Sequence, residues 1–310
     1  MFARRAAGMK ANPSRLSALL VAFLVTVLWS TSWVLIKIGL REIGPLNFVG
    51  LRYFLAFLIL LPFGLRAAGR AEIKRLTRSQ WLTLIFLGVF YYFATQSAQY
   101  VGLDYLPAVT VSLMYNLSAS LVTLISIWLL REKPTPLQWL GAAVNLAGIL
   151  IYFTPLAIPA GAGIGLVVVA LGVLSNAASA VVSRGLNREL VLSPLTVTLV
   201  SMGIGGTLML GTGLAVEGLP QLSLQGWGII LWLAALNTAL AFTLWNYSMR
   251  ALKAMESSLM SNLMLIFVAG LAFWILGEGI SLRQGMGMLL ALTGTALVQL
   301  RQLPGRLTKL

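Results

Sequence analysis

The sequence predicts an all-α integral membrane protein with ten transmembrane helices, arranged as two inverted five-helix repeats with both termini cytoplasmic. Three observations predict this class: the composition is strongly apolar, ten apolar runs are long enough to span a bilayer, and the second half repeats the first. Of 310 residues, 59% are hydrophobic and only 10% are charged, with a mean hydropathy of +0.91. Soluble domains carry about 25% charged residues, so most of this chain must face lipid or other buried helices.

The ten apolar runs are each long enough to cross the roughly 30 Å hydrocarbon core of a bilayer. They fall near residues 16–38, 47–64, 81–101, 107–130, 137–153, 162–184, 195–215, 227–250, 257–276 and 282–300. The first run follows several basic residues, as the apolar core of a secretion signal does. It is longer than the roughly 7–15 residues of such a core, and no small-residue cleavage site follows it. We therefore expect an uncleaved first helix.

The basic residues predict the orientation of these helices. If the N-terminus is cytoplasmic, 18 of the 22 Lys and Arg residues fall in the tails 1–15 and 301–310 or in cytoplasmic connections. Only Arg41 and Arg283 fall in external loops, while Lys37 and Arg52 lie near the outer ends of the first two helices. Basic residues concentrate in cytoplasmic loops, so the pattern predicts that both termini are cytoplasmic.

A displacement of 146 residues relates the second half of the chain to the first. Residues 112–117 read SLMYNL and residues 258–263 read SLMSNL. Other pairs at this displacement are Trp81 and Trp227, Trp128 and Trp274, Glu132 and Glu278, Gly141 and Gly287, and Gly148 and Gly294. A fixed displacement indicates a duplicated unit, which we assign to residues 16–153 and 162–300. Because each unit holds five helices, an odd number, the second must enter the membrane upside down.

Two features that both repeats share are interpreted as scaffold. Thr135 and Gln138 have the spacing of a capping box, as do Ser281 and Gln284. In such a box the hydroxyl and the glutamine satisfy the first N–H groups of a helix. The paired glycines are seven residues apart in each repeat and so share one helix face. Small residues on a face let helices approach closely in lipid.

Polar and aromatic side chains form stripes on six of the predicted helices. Tyr92, Gln96 and Gln99, for example, lie at i, i+4 and i+7 on one face of the third helix. The candidate solute-binding residues are Trp29, Trp33, Tyr92, Gln96, Gln99, Tyr115, Asn116, Asn176, Ser179, Asn237, Trp245 and Asn262. Polar residues inside a membrane usually face the bundle interior or a water-filled cavity, which favours a cavity between the halves. The alternative is that they are interhelical hydrogen bonds worth about 0.6 kcal/mol each.

The predicted lining contains amides, hydroxyls and aromatic rings, with no ionised group at mid-depth. Such a wall suits neutral, zwitterionic or aromatic solutes, whereas phosphorylated solutes would need Lys or Arg. Lys37 and Arg52 are the only basic residues inside the spans. They are interpreted either as structural charges that snorkel or pair with Glu42 or Asp104, or as functional charges that gate the outer mouth or attract a carboxylate.

The composition also excludes or disfavours other classes of protein. The chain has no cysteine and no histidine, which excludes disulfides, thiolate chemistry and imidazole catalysis, together with the usual zinc sites. The net charge of +14 is spread over short loops and does not form the basic surface of a nucleic-acid-binding domain. No metal, cofactor, catalytic residue or nucleic-acid partner is expected. A membrane-embedded enzyme or a channel is a weaker alternative, because the acidic residues are scattered singly and form no charged ring.

Several short motifs point to a family. They are Leu28-Trp29-Ser30-Thr31-Ser32 followed by Lys37, Leu51-Arg52-Tyr53, Leu130-Arg131-Glu132 and Leu276-Gly277-Glu278. With the paired glycines, these motifs resemble the drug/metabolite transporter superfamily, specifically EamA-type exporters with ten helices; the aromatic amino-acid exporters are the suspected branch. The resemblance implies a multi-pass protein of the bacterial cytoplasmic (inner) membrane that exports small metabolites by alternating access.

The resemblance and the lining chemistry together predict the transported solutes. Amino acids, aromatic ones included, are the expected substrates, and other amphipathic metabolites or drugs are the alternative. No acidic residue lies at mid-membrane, so the usual carboxylate relay for protons is missing. Transport is then either downhill or coupled to protons or a counter-substrate by a route outside the sequence pattern. One chain contains both halves of the cavity, so a monomer in the lipid bilayer is sufficient.

Overall fold

The computed structural model describes residues 14–129, 135–154, 162–189, 192–249, 251–252 and 254–299, and all regular structure in these ranges is helical. The helices are α1 (Arg15–Gly39), α2 (Pro45–Gly64), α3 (Ala67–Lys74), α4 (Arg78–Tyr105), α5 (Ala108–Asn116), α6 (Ser118–Leu129), α7 (Pro136–Phe153), α8 (Ala162–Glu189), α9 (Pro194–Glu217), α10 (Leu224–Ala234, continued by Ala235–Leu240 and Ala241–Ser248), α11 (Ala254–Leu271, continued by Ala272–Leu276) and α12 (Leu282–Gln299). The predicted tail residues 1–13 and 301–310, and Glu132, lie outside the described ranges.

Seven helices in the described part of the chain are long and apolar enough to cross a membrane, namely α1, α2, α4, α7, α8, α9 and α10. The other three predicted spans coincide with α5–α6, α11 and α12. Two segments among these, Ala108–Val122 and Asn262–Leu276, are apolar but shorter. The basic connection near residues 65–80 contains a short helix, α3, that the apolar pattern does not predict. The structure is thus that of an all-helical membrane protein.

Both predicted capping boxes are confirmed. At the start of α7, Thr135 N donates to Gln138 Oε1 over 2.9 Å, and Gln138 N donates to Thr135 Oγ1 over 3.4 Å. At the start of α12, the same two bonds join Ser281 and Gln284 over 2.9 and 3.3 Å. The first N–H groups of a helix have no partner within the helix, so these boxes determine where α7 and α12 begin.

The paired glycines bring α7 and α12 into backbone contact. A Cβ built on Gly148 would lie 2.4 Å from Ala291 N and 2.6 Å from Gly287 O. A Cβ built on Gly294 would lie 2.6 Å from Gly141 O. Since Gly141 meets Gly294 and Gly148 meets Gly287, the two helices run antiparallel. Such close approach of small residues gives helices the van der Waals contact that holds them together in lipid.

Three carboxylates at the end of the bundle that is predicted to be external bind helix N-termini in the opposite half. Glu217 accepts from Asn47 N over 2.8 Å at the start of α2. Glu278 accepts from Ala108 N over 3.0 Å at the start of α5. Glu42 accepts from the hydroxyl of the N-cap serine of α10 over 2.7 Å. Negative charge is favourable at a helix N-terminus, so each contact ties one half to the other.

At the opposite end of the bundle, Glu72 of α3 makes a comparable contact with α9. Its carboxylate accepts from Ser193 Oγ over 2.7 Å, and also from Ser193 N and Thr196 Oγ1. Partial desolvation by itself would raise the pKa of Glu72, but these hydrogen bonds to the charged form outweigh it and lower the pKa below its ordinary value.

We expect this contact to make stability depend on pH. A carboxyl whose folded pKa is lowered stabilises the fold fully above its unfolded value of 4.5 and loses that contribution as pH falls through the folded pKa. The melting temperature of the wild type in detergent should therefore approach that of Glu72→Gln as pH falls from about 6 to about 3. A difference between the two proteins that stayed constant over this range would contradict the prediction.

Candidate binding cavity

A cavity of about 450 Å³ lies among helices of both halves. Small-molecule sites commonly occupy roughly 300–1,000 Å³, so the cavity has the size of a metabolite site. Its polar and aromatic lining is Trp29, Ser32, Trp33, Arg52, Tyr53, Tyr91, Thr95, Gln96, Gln99, Ser112, Tyr115, Asn116, Ser118, Asn176, Asn237, Phe242, Asn262, Thr295 and Gln299.

The structure brings most of the predicted site residues together. Nine of the twelve line this central cavity: Trp29, Trp33, Gln96, Gln99, Tyr115, Asn116, Asn176, Asn237 and Asn262. The other three, Tyr92, Ser179 and Trp245, line a neighbouring cavity of about 440 Å³ instead. Tyr91 and Phe242 line both cavities, so these two rings form a shared wall.

A π-helical segment explains why Tyr92 lies outside the central cavity. Residues 87–96 of α4 form this segment. Within it the Thr95 hydroxyl donates to Phe90 O over 2.8 Å, and the two residues are five apart, as hydrogen-bonded residues of a π-helix are. A π-helical turn holds more residues than an α-helical one, so the i, i+4, i+7 face does not continue through it. Tyr91 and Thr95 line the cavity in place of Tyr92. Tyr92 packs instead on Tyr53, with ring centroids 5.7 Å apart.

A second π-helical segment, Ala235–Leu240, has the same effect on α10. Thr238 Oγ1 donates to Leu233 O, again five residues earlier, over 2.9 Å. The cavity is lined by Asn237 and by Phe242, five residues further on, and Trp245 is turned away from it. Trp245 nevertheless contacts the lining, because its ring centroid lies 5.2 Å from that of Trp29. π-Helical turns within α-helices are frequent at functional sites.

Several lining amides are hydrogen-bonded between helices. Asn116 Oδ1 accepts from Thr295 Oγ1 and, over 3.4 Å, from Asn145 Nδ2. Asn262 Nδ2 donates to Gln299 Oε1 over 3.2 Å. The sequence interpretation missed Asn145, Thr295 and Gln299. For Asn145 a sequence signal was available, since an amide in an apolar run lies between Gly141 and Gly148 at spacings that put all three on one helix face.

Gln96 and Gln99 differ from these amides. Both line the cavity and are half-buried, and neither side-chain amide has a hydrogen bond to another residue in the described part of the chain. Their amides therefore remain able to bond to a solute. Replacing them removes no side-chain hydrogen bond within the described residues, unlike replacing Asn116, Asn176, Asn237 or Asn262.

Arg52 lies in the cavity, which corrects the expectation that no ionised group lines it. Its side chain is only 6% exposed and does not snorkel to the interface. Nε donates to Thr238 Oγ1 and Nη1 to Tyr100 Oη, each over 3.0 Å, and the guanidinium lies 5.3 Å from the ring centroid of Tyr53. Thr238 and Tyr100 come from α10 and α4 and are distant from Arg52 in sequence, whereas Tyr53 is its neighbour on α2. No carboxylate in the described residues forms an ion pair with it.

Lys37 lies outside the cavity lining and has a structural contact. Its Nζ donates to the carbonyl of Leu103, over 2.9 Å, and to that of Leu106, at the C-terminal end of α4. A cation is favourable at a helix C-terminus. Glu278 binds Ala108 N just beyond this end, so the turn between α4 and α5 is held by a cation on its carbonyls and an anion on its amides. Among the described residues, Lys37 forms no ion pair with either predicted partner, Glu42 or Asp104, and Glu42 binds the N-terminus of α10 instead.

These features define a helical membrane protein with a metabolite-sized polar cavity between two halves. In the described ranges, no group of three or more acidic side chains is placed to hold a metal ion. The chain belongs to the EamA-like transporter family, whose model matches it twice, over residues 16–154 and 163–300. The resemblance drawn from the motifs is thus confirmed for the family, whose members are transporters and not enzymes, while the aromatic amino-acid branch stays a prediction.

Curated proteins with similar sequences are also transporters. The transporter YvbV of Bacillus subtilis is 31% identical over 56% of this chain and 53% of its own length. The transporter YoaV of the same organism is 26% identical over 87% and 92%. The S-adenosylmethionine/S-adenosylhomocysteine transporter of Chlamydia trachomatis is 30% identical over 44% and 40%. The match to YvbV thus spans about half of that relative and the match to the Chlamydia protein less than half.

A solved crystal structure has a similar fold. It matches 93% of this chain and 98% of its own, with a TM-score of 0.65 and 21% sequence identity. At this identity the likeness shows the fold alone.

Proposed function

We propose that the chain is a secondary transporter that exports small neutral or zwitterionic metabolites, amino acids first among them, across the cytoplasmic membrane by alternating access. The observation that carries the proposal is the central cavity, whose amides and aromatic rings come from both halves. Amides can bond to the ammonium and carboxylate groups of an amino acid, and aromatic rings can pack against its side chain.

The proposal includes ten membrane spans, two inverted repeats at 16–153 and 162–300, and cytoplasmic termini. The contact between α7 and α12 supports the inversion. These are the fifth helices of the two repeats, and they run antiparallel, whereas repeats of the same orientation would make them parallel. The three carboxylate caps each join one half to the other. Alternating access by movement of one half against the other must therefore break them.

A second candidate substrate comes from the Chlamydia relative. S-Adenosylmethionine joins an amino-acid zwitterion to a purine ring, so it offers the ammonium and carboxylate groups and the aromatic surface that this lining suits. A panel of substrates should therefore contain S-adenosylmethionine together with the standard amino acids.

The proposal is tested by counterflow of labelled substrates into proteoliposomes preloaded with unlabelled ones. The wild type should accumulate label transiently and saturably, as a carrier does. In Gln96→Ala/Gln99→Ala, loss of two neutral hydrogen bonds should lower the initial rate at low substrate concentration by about 10-fold. The matched control is Gln221→Ala, because Gln221 is exposed in the loop before α10.

Three outcomes would count against the proposed function. Absence of counterflow for every amino acid and for S-adenosylmethionine would show that the chain does not transport this class of substrate. Flux that neither saturates nor responds to substrate on the far side would indicate a channel. Equal counterflow rates in the double variant and in Gln221→Ala would show that Gln96 and Gln99 do not bind the substrate.

A further inference from the structure

The guanidinium of Arg52 is a buried charge without a counter-charge in the described residues. A guanidinium has five N–H donors and is always protonated, and only two donors are used here, toward Thr238 and Tyr100. Placing an ion in a low-dielectric interior is costly unless it is paired. Three donors therefore remain for an anionic group that enters the cavity.

Asn237 offers the opposite chemistry in the same cavity. It is fully buried, and its Oδ1 has no hydrogen-bond partner among the described residues. Its Nδ2 lies within hydrogen-bond distance of three acceptors, which its two N–H groups share: Leu28 O, Thr31 Oγ1 at 3.1 Å and Ser32 Oγ at 2.8 Å. Because a backbone carbonyl only accepts, the contact with Leu28 fixes which amide atom is the nitrogen. The free acceptor is therefore an oxygen, suited to a donor such as an ammonium group.

One structural element holds both groups. Asn237 and Thr238 are consecutive in the π-helical segment of α10, and Arg52 Nε is bonded to the side chain of Thr238. Trp29 Nε1 also donates to Asn237 O over 3.1 Å, which places an aromatic ring beside this segment. An unused cation, an unused acceptor and an aromatic surface thus lie along one wall.

We propose that Arg52 and Asn237 form the recognition site for the zwitterionic end of an α-amino acid. The remaining N–H groups of Arg52 bind the carboxylate, and Asn237 Oδ1 accepts from the ammonium group. Trp29 and the neighbouring aromatic rings contact the side chain. This inference rests on the proposed function and adds to it that a carboxylate is required, so that amines and amides with the same side chain are poor substrates.

The first test uses the wild type alone, as the purified full chain in proteoliposomes. The labelled substrate is the standard amino acid with the fastest counterflow. If this is L-phenylalanine, the unlabelled competitors are L-phenylalanine, its amide, phenethylamine and 3-phenylpropionate. Loss of a hydrogen-bonded charge should weaken competition by the amide and the amine by about 10-fold to 100-fold. 3-Phenylpropionate, which keeps the carboxylate and lacks the ammonium group, should compete less well than the amino acid and better than the amine.

The second test compares Arg52→Gln with Arg41→Gln, a matched replacement of an arginine that is exposed at the end of α1. In Arg52→Gln the preference for the amino acid over its amide should fall close to one. In Arg41→Gln it should stay at the wild-type value. Melting curves and gel filtration in detergent show whether each variant is folded. If Arg52→Gln does not fold, the proposal is tested by the wild-type competition measurements alone.

The outcomes separate this inference from the proposed function. A wild type that carries amino acids but accepts the amide and the amine equally well would overturn the inference and leave the proposed function intact. A folded Arg52→Gln with the wild-type preference would also overturn it. A wild type without counterflow of any amino acid would overturn both.

Discussion

Leucine in place of Gly294 should separate α7 from α12 and lower the melting temperature of the protein sharply. A Cβ at this position would lie 2.2 Å from Asn145 N and 2.6 Å from Asn145 Cα, and backbone atoms of a packed helix cannot give way by a side-chain rotation. Overpacking of a buried contact costs roughly 1–3 kcal/mol. Displacing α7 would also strain the bonds, both 2.9 Å, from Asn145 Nδ2 to Ala291 O and Thr295 Oγ1. We therefore expect a total loss of about 3 kcal/mol or more.

Gly285 of the same helix provides the matched control. A Cβ there would meet no atom within 4 Å, so Gly285→Leu should change the melting temperature little and raise helix propensity. Thermal unfolding in detergent, followed by intrinsic fluorescence and by gel filtration of heated samples, measures both variants. Equal shifts in the two variants would show that α7 and α12 tolerate separation and that the glycine contact is not a main source of stability.

The glycine contact is a part of the fold that the sequence predicts well. Its signal is local and appears twice, because Gly141 and Gly148 recur as Gly287 and Gly294. The capping boxes at Thr135 and Ser281 are predictable for the same reason, since both partners of each box lie within one helical turn. A pattern whose members are close in sequence specifies its own geometry.

Which side chains of α4 and α10 face the cavity is less predictable, because it depends on two π-helical segments. Each segment shifts the faces of its helix, and no residue type in residues 87–96 or 235–240 marks where an α-helix becomes a π-helix. A face extrapolated with α-helical spacing therefore puts Tyr92 and Trp245 in the central cavity, whereas the structure places them in the neighbouring one. Polar stripes predict nine of the twelve side chains correctly, but they do not indicate α2 and α12, which line the cavity through Arg52, Tyr53, Thr295 and Gln299.

The place of Arg52 depends on residues far away in sequence. An arginine near a predicted helix end is expected to reach the interface. Here it is held inward by Tyr100 and by Thr238, which is 186 residues away. Burial of this charge follows from the tertiary arrangement of three helices, and a single sequence contains no pattern for it.

Removal of the charge of Glu278 should shift the protein toward a state that is open at the predicted external end. Glu278 binds Ala108 N over 3.0 Å and Val109 N over 3.4 Å, and this contact must break when the halves separate there. A carboxylate at a helix N-terminus contributes up to about 2 kcal/mol in partly buried geometries. Glu278→Gln keeps the shape and loses most of this energy, so the open state should become about 5-fold to 30-fold more populated.

The chain has no cysteine, which makes the accessibility of a single introduced thiol a direct measure of this shift. Ser112 lines the central cavity and is only 6% exposed, so Ser112→Cys should react slowly with a membrane-impermeant maleimide added outside intact cells. Adding Glu278→Gln should speed this reaction, whereas adding Asp104→Asn should not, because Asp104 is exposed at the same end and caps no helix in the described residues. Equally faster labelling in the two double variants would show that general negative charge matters there, and rates equal to that of Ser112→Cys alone would contradict the prediction. Faster labelling with Glu278→Gln alone would instead identify a latch between the halves, in which one carboxylate holds the first turn of α5 until the cavity opens outward.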